Sequence, residues 1–278
     1  MSEASRLDLA TSDGHRWSLV GAHVPDAARV ALFVPALGIS ARHYLPFAQA
    51  LAGRGIATWI HEWRGHGSSN LRASRSTDWG YRELLEVDLA ASLRAVRGQH
   101  PQARLFVGGH SLGGQLASVA LGLHRIGDAL WLVASGNPHW RAFPSPVRWG
   151  LPATYRVLSA LASANGALPG RRIGFGGREA RGVIADWSRT GLRGRYAGAG
   201  IGADLEQALG GVAVPVRGVL FDSDWLAPRT SLDALLRKMP RARAETTTLD
   251  GADLGTRADH FAWMTRPDAV ARTLAGGD

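Results

Sequence analysis

The chain has 278 residues, 45% hydrophobic and 20% charged, with no cysteine, which excludes disulfides, a thiolate nucleophile and a cysteine-ligated metal. The net charge of +9 is almost all arginine, with Lys238 the single lysine, and no zinc-finger, RRM or helix-turn-helix pattern accompanies it, so no nucleic-acid partner is expected. No apolar run approaches the length of a membrane span and the N-terminus lacks a secretory pattern, so a cytoplasmic, single-domain protein with an insertion is expected.

Trp17–Val20, after the turn signal Ser12-Asp13-Gly14, reads as the first strand. Val30–Val34 is a buried strand that ends at Pro35-Ala36-Leu37-Gly38. A helix with Tyr44, Phe47, Ala48 and Leu51 on one face follows, then the strand Ile56–Ile60. Thr77 or Asp78 is the expected cap of a helix whose inner face holds Leu85, Leu89, Leu93 and Val96. Leu105-Phe106-Val107 is a strand, Leu116, Val119, Ala120 and Leu123 mark a helix face, and Ala129–Ala134 is another strand.

From Gly136 to Gly211 the alternation breaks. Five prolines and ten arginines collect there, the arginines against four acidic residues, and helices are expected at Pro152–Leu161 and Arg178–Trp187. The charge surplus reads first as a solvated basic face, and second as a surface favouring acidic substrates or an anionic membrane. Strand Pro215–Phe221, helix Thr230–Met239, strand Ala244–Leu249 and helix Pro267–Leu274 complete the chain. Apolar strands alternating with amphipathic helices imply an α/β fold, a doubly wound, mostly parallel sheet covered on both faces. Residues 1–135 and 212–278 would form this core, and 136–211 an inserted helical lid.

The junction between the central strand and its helix reads Gly109-His110-Ser111-Leu112-Gly113. A G-x-S-x-G turn holds its serine in a strained conformation at the strand's carboxyl end, and the following helix points free N–H groups at it. Such a serine needs a base, and the base needs a carboxylate to orient it. Asp222 and Asp224 follow one later strand and His260 follows the next, giving the chain order Ser, Asp, His. His66 and His110 read as structural hydrogen-bonding residues, His43 as structural or pocket-lining, and His139 as the alternative histidine. No spacing suggests a metal site, and no glycine pattern suggests a nucleotide cofactor.

Four motifs in this order resemble those of the α/β-hydrolase superfamily, in a lidded branch that is serine-aminopeptidase-like or poorly characterised. Gly109–Gly114 resembles its nucleophile elbow, and Glu62–Ser68 (EWRGHGS) its D-x-R-G-x-G-x-S loop with Glu for Asp. Asp224–Pro228 resembles its acid loop and Asp259-His260-Phe261 its terminal histidine loop. The resemblance implies Ser111 as nucleophile, His260 as general base and Asp224 as orienting acid. It implies oxyanion donors at the backbone of Leu112 and of Leu37, although the usual His-Gly of the latter loop is replaced by Pro35-Ala36. Trp140, Trp187 and Trp225 would line the substrate site, with Phe143, Trp149 and Trp263 nearby. The expected activity is hydrolysis of a small-molecule carboxylic ester through an acyl-serine. A thioesterase or acyltransferase using the same triad, or a silent ligand-binding relative, are the alternatives.

Overall fold

The computed structural model describes residues 4–276. Strands β1 (Ala4–Ala10), β2 (Arg16–Ala22), β3 (Arg29–Val34), β4 (Ile56–Ile60), β5 (Arg104–His110) and β6 (Ala129–Val133) precede a two-stranded ribbon, β7 (Ala167–Pro169) with β8 (Arg178–Ala180); β9 (Val216–Phe221) and β10 (Ala244–Leu249) follow. The main sheet runs β1-β2-β4-β3-β5-β6-β9-β10; β1 and β2 pair antiparallel, as do β2 and β4, and the remaining pairs are parallel.

The strands are apolar throughout because both faces are covered. In β3, Val30, Leu32 and Val34 enter one core while Ala31 and Phe33 enter the other, and β6 divides the same way between Leu130 and Leu132 and Ala129, Trp131 and Val133. Each such large side chain contributes about 1.5–3 kcal/mol by leaving water. The helices are α1 (Leu45–Ala52), α2 (Ala90–Gln99), α3 (Leu112–His124), α4 (Val147–Asn165), α5 (Gly170–Ile173), α6 (Arg181–Arg193), α7 (Leu205–Gly210), α8 (Arg229–Leu236), α9 (Gly251–Leu254) and α10 (Asp268–Ala275). Helix α3 is buried continuously from Leu112 to Leu121, so its apolar surface is not confined to one stripe. The chain leaves β3 toward β4 on one side and returns as β5 on the other. That reversal opens a crevice at the carboxyl ends of β3 and β5.

Three expectations are corrected. Strand β1 precedes the first strand read from sequence; from Ser5 to Ala10 its side chains alternate between half-buried and exposed, a pattern too polar to register as a strand core. The helix expected to be capped by Thr77 or Asp78 opens instead at Tyr81, whose N–H donates to Asp186 Oδ2 at 2.9 Å, a partner on α6. Asp78 accepts from Gly182 N–H, and Glu83–Leu89 winds as a wider π-helix before α2. Residues 178–180, expected to start a helix, pair with 167–169 instead, so the 136–211 segment combines helices with a short antiparallel ribbon.

Candidate active site

Ser111 follows β5 directly with φ 56° and ψ −121°, a conformation that costs a non-glycine residue about 1–3 kcal/mol. The turn is held from several sides. Ser111 N–H donates to Val133 O at 3.0 Å, and its carbonyl accepts from Ser135 Oγ at 2.8 Å and from the N–H groups of Gly114 and Gln115. The flanking glycines are there for clearance: a Cβ on Gly109 would lie 2.3 Å from Gly113 C, and one on Gly113 would lie 2.1 Å from Val34 O. Gly113 thus lets the loop after β3 lie against the start of α3, beside the Leu112 N–H.

Asp224 closes a turn on itself: Oδ1 accepts from the N–H groups of Leu226 (2.9 Å) and Ala227 (3.2 Å). Its Oδ2 lies 2.7 Å from His260 Nδ1, both side chains being buried. An Nδ1–H donated to a carboxylate leaves Nε2 as the unprotonated nitrogen. Asp222 is exposed and bonds Ser223 Oγ, so of the two candidates it is Asp224 that pairs with His260. Ser111 and His260 line one cavity of about 290 Å3 together with Leu37, Leu112, Trp187 and Trp225. The described contacts include no hydrogen bond between the serine hydroxyl and the imidazole; such bonds often tighten only around substrate. Trp140 lies off this cavity, its ring 5.9 Å from Trp149 with the Arg141 guanidinium stacked over it. Phe143, Tyr155 and Phe175 occupy the wall, and of these only Phe143 was expected from sequence.

The loop after β3 is pinned from two directions. Trp63 Nε1–H donates to Pro35 O (3.0 Å) and Ala36 O (3.3 Å), and Ala36 N–H donates to Tyr44 Oη at 2.9 Å. Tyr44 Oη lies 2.8 Å from His110 Nδ1, and since it already accepts from Ala36 its proton is donated there. His110 is therefore neutral with its proton on Nε2; burial, then the charge of His260, hold its pKa well below the ordinary range. The Ala36 N–H is consumed by this bridge, whereas the Leu37 N–H is engaged by no described acceptor. Sequence reasoning put Tyr44 on a core face, which is where it lies, and had no signal for its hydroxyl. Tyr44→Phe leaves a buried N–H and a buried ring nitrogen unpaired, so a stability loss of about 2–4 kcal/mol is expected by chemical denaturation. A tenfold fall in kcat with KM little changed is expected as the loop loosens.

The EWRGHGS loop is a structural hub. Glu62 accepts from Ala41 N–H and Ser68 N–H; its carboxyl pKa is raised by burial, against the pull of those two bonds. Arg64 binds Asp88 through two nitrogens and reaches Asp13. Beneath it lies a second Ser–His–Asp relay, unforeseen from sequence. His15 Nδ1 is 2.9 Å from Asp88 Oδ1 and its Nε2 is 3.0 Å from Ser69 Oγ, all three residues being buried. Ser69 Oγ also accepts from the N–H groups of Gly65 and Leu71. His66 bonds Glu179, and His139 lies half-buried against Gly194. Among the described residues no group of three or more His, Asp or Glu is arranged to hold a metal, and no helix is long and apolar enough to cross a membrane.

Comparison with known proteins agrees with this architecture. No curated protein sequence matches the chain. Among solved structures, a carboxylesterase of the ammonia-oxidizing thaumarchaeon Nitrososphaera gargenis superposes with a TM-score of 0.63 at 15% identity, covering 96% of both chains. A thioesterase domain from the curacin biosynthetic pathway gives 0.59 at 17% identity over 98% of each chain. A hydrolase from Pseudomonas aeruginosa PA01 gives 0.62 at 17% identity over 97% of each. At such identities these likenesses speak to the fold. The model of the family described as serine aminopeptidase, S33 matches residues 25–171, more than half of the chain. The chain therefore belongs to the serine aminopeptidase S33 family and, with it, to the α/β-hydrolases.

Proposed function

We propose that this protein is a serine hydrolase that cleaves carboxylic esters through an acyl-serine intermediate. The observation that carries the reading is the Asp224-oriented imidazole of His260 lining the same apolar cavity as the strained Ser111. In this mechanism His260 Nε2 takes the Ser111 proton as Oγ attacks the acyl carbonyl, and the Asp224 carboxylate stabilises the imidazolium. The backbone N–H groups of Leu112 and Leu37 receive the oxyanion. The imidazolium then protonates the leaving alcohol, and water repeats the cycle on the acyl group. Donors fixed before substrate arrives are worth the most, about 10²–10³ in kcat for each one, and the Trp63 and Tyr44 bonds to the Pro35–Ala36 turn supply that rigidity.

Residues 136–211 act as a lid in this reading. Phe143, Tyr155, Phe175 and Trp187 from that segment form an apolar wall opposite Ser111, while Trp225 and Phe261 are exposed at the rim. That lining favours an acyl or aromatic chain, and a cavity of about 290 Å3 suits a short-to-medium one. The test is a panel of p-nitrophenyl esters of increasing acyl length beside a fluorophosphonate probe. Saturable hydrolysis with a peak at short-to-medium chains and labelling at Ser111 are expected. An intact protein that neither hydrolyses these esters nor takes the label would overturn the reading in favour of a silent binding protein.

A further inference from the structure

A second cavity, of about 600 Å3, lies on the other side of the Gly170–Gly177 segment from the acyl site. Gly174–Gly176 line the acyl cavity, whereas Arg171, Arg172 and Gly177 line the second one. The two are separated where Gly38 packs against Gly177, a Cβ on Gly38 falling 2.3 Å from Gly177 N.

The walls of this cavity carry Arg42, Arg72, Arg171, Arg172, Arg178 and His66, and no aspartate or glutamate. None of the five arginines forms an ion pair with a described carboxylate. Elsewhere arginine is commonly paired: Arg64, Arg97, Arg181, Arg189 and Arg229 each lie within 4.0 Å of an acid. Two of the five are also held in place. Arg72 donates to the carbonyls of Gly67, Ser69 and Leu71, and Arg178 Nε–H to Ala73 O at 2.6 Å. Carbonyl partners fix a guanidinium without cancelling its charge, so the remaining N–H donors stay available. His66 is engaged by Glu179. Like charges gathered around one concavity repel each other unless an anion joins them.

We propose that this cavity is an anion site for a small molecule bearing a phosphomonoester or diphosphate group. Arginines from the segment after β3, the Glu62–Arg72 loop and the 171–178 segment line the cavity from three separate parts of the chain. That arrangement suits a tetrahedral, multiply charged group better than a flat monoanionic carboxylate.

Titration calorimetry with inorganic pyrophosphate tests the site independently of any ester hydrolysis. Wild-type protein is expected to bind with a saturable one-to-one isotherm. R171A/R172A, and separately R42A, should weaken it at least tenfold while leaving the melting temperature unchanged. A second arm uses phosphatidylcholine vesicles with and without phosphatidic acid. Binding of only the phosphatidic acid vesicles, lost in R171A/R172A, would assign the phosphate to a lipid headgroup. Absence of saturable binding to both probes, or equal binding by wild type and variants, would overturn the proposal.

Discussion

Ser111→Ala should lower the rate of p-nitrophenyl ester hydrolysis by about 10⁴–10⁶-fold while leaving the fold intact. The serine side chain makes no hydrogen bond among the described contacts, so its removal breaks nothing structural; what it removes is the proposed nucleophile. Asp224→Asn is the sharper companion. The carboxamide can still accept from the Leu226 and Ala227 N–H groups, so the acid turn should persist. Facing His260, however, it then presents an NH2 donor where a carboxylate oxygen stood 2.7 Å from Nδ1. The imidazole then loses both its fixed tautomer and the partner that stabilises its charged form, and a fall of about 10⁴ in kcat is expected. Asp222→Asn, on an exposed neighbour, should change kcat less than twofold. Steady-state kinetics on the three variants checks the assignment; a large effect at Asp222 with little at Asp224 would reverse it.

Gly113→Ala should be severely damaging for a single added methyl group. Its Cβ would fall 2.1 Å from Val34 O and 2.3 Å from Pro35 O, both backbone atoms that yield only if the β3 exit moves. A cost of about 3 kcal/mol or more is expected, seen as a fall in melting temperature of roughly 6–12 °C. Residual activity should drop by a further factor of about 10²–10³, because the displaced loop carries the proposed Leu37 donor. Gly98→Ala is the control. It lies in α2 with nothing within 4 Å of the added Cβ, and should stabilise the protein by up to about 1 kcal/mol. Equal melting temperatures for the two variants would refute the close-approach argument.

Much of this was readable from the sequence because it is local. The apolar runs 30–34, 56–60 and 129–134 are strands since a two-faced sheet needs no polar alternation, and the spacing of Gly109, Ser111 and Gly113 reports a tight turn whatever surrounds it. Between Asp222 and Asp224 spacing alone left both open, since the choice depends on which carboxylate the Leu226 and Ala227 amides hold. What stayed hidden is carried by long-range partners. The cap of the Tyr81 helix is supplied by Asp186, the hydroxyl of Tyr44 joins residues 36 and 110, and the arginines at 42, 72 and 171–178 meet only after folding. Trp140 illustrates the converse: its place at the start of the 136–211 segment suggested a cavity wall, yet its ring is satisfied by Trp149 and Arg141.

The relay of Asp88, His15 and Ser69 bears on how catalytic serines are recognised. Any template search based on interatomic spacing would return it, since His15 lies 2.9 Å from Asp88 and 3.0 Å from Ser69, whereas no hydrogen bond joins Ser111 to His260 among the described contacts. Yet the oxygen of Ser69 is chemically saturated: two amide protons occupy its lone pairs and its own proton is given to the imidazole. No electron pair remains to offer a carbonyl carbon. A hydroxyl becomes a reagent only when its hydrogen-bonding valence is left partly unfilled, and the Ser111 hydroxyl, bonded to nothing among the described contacts, meets that condition where Ser69 does not.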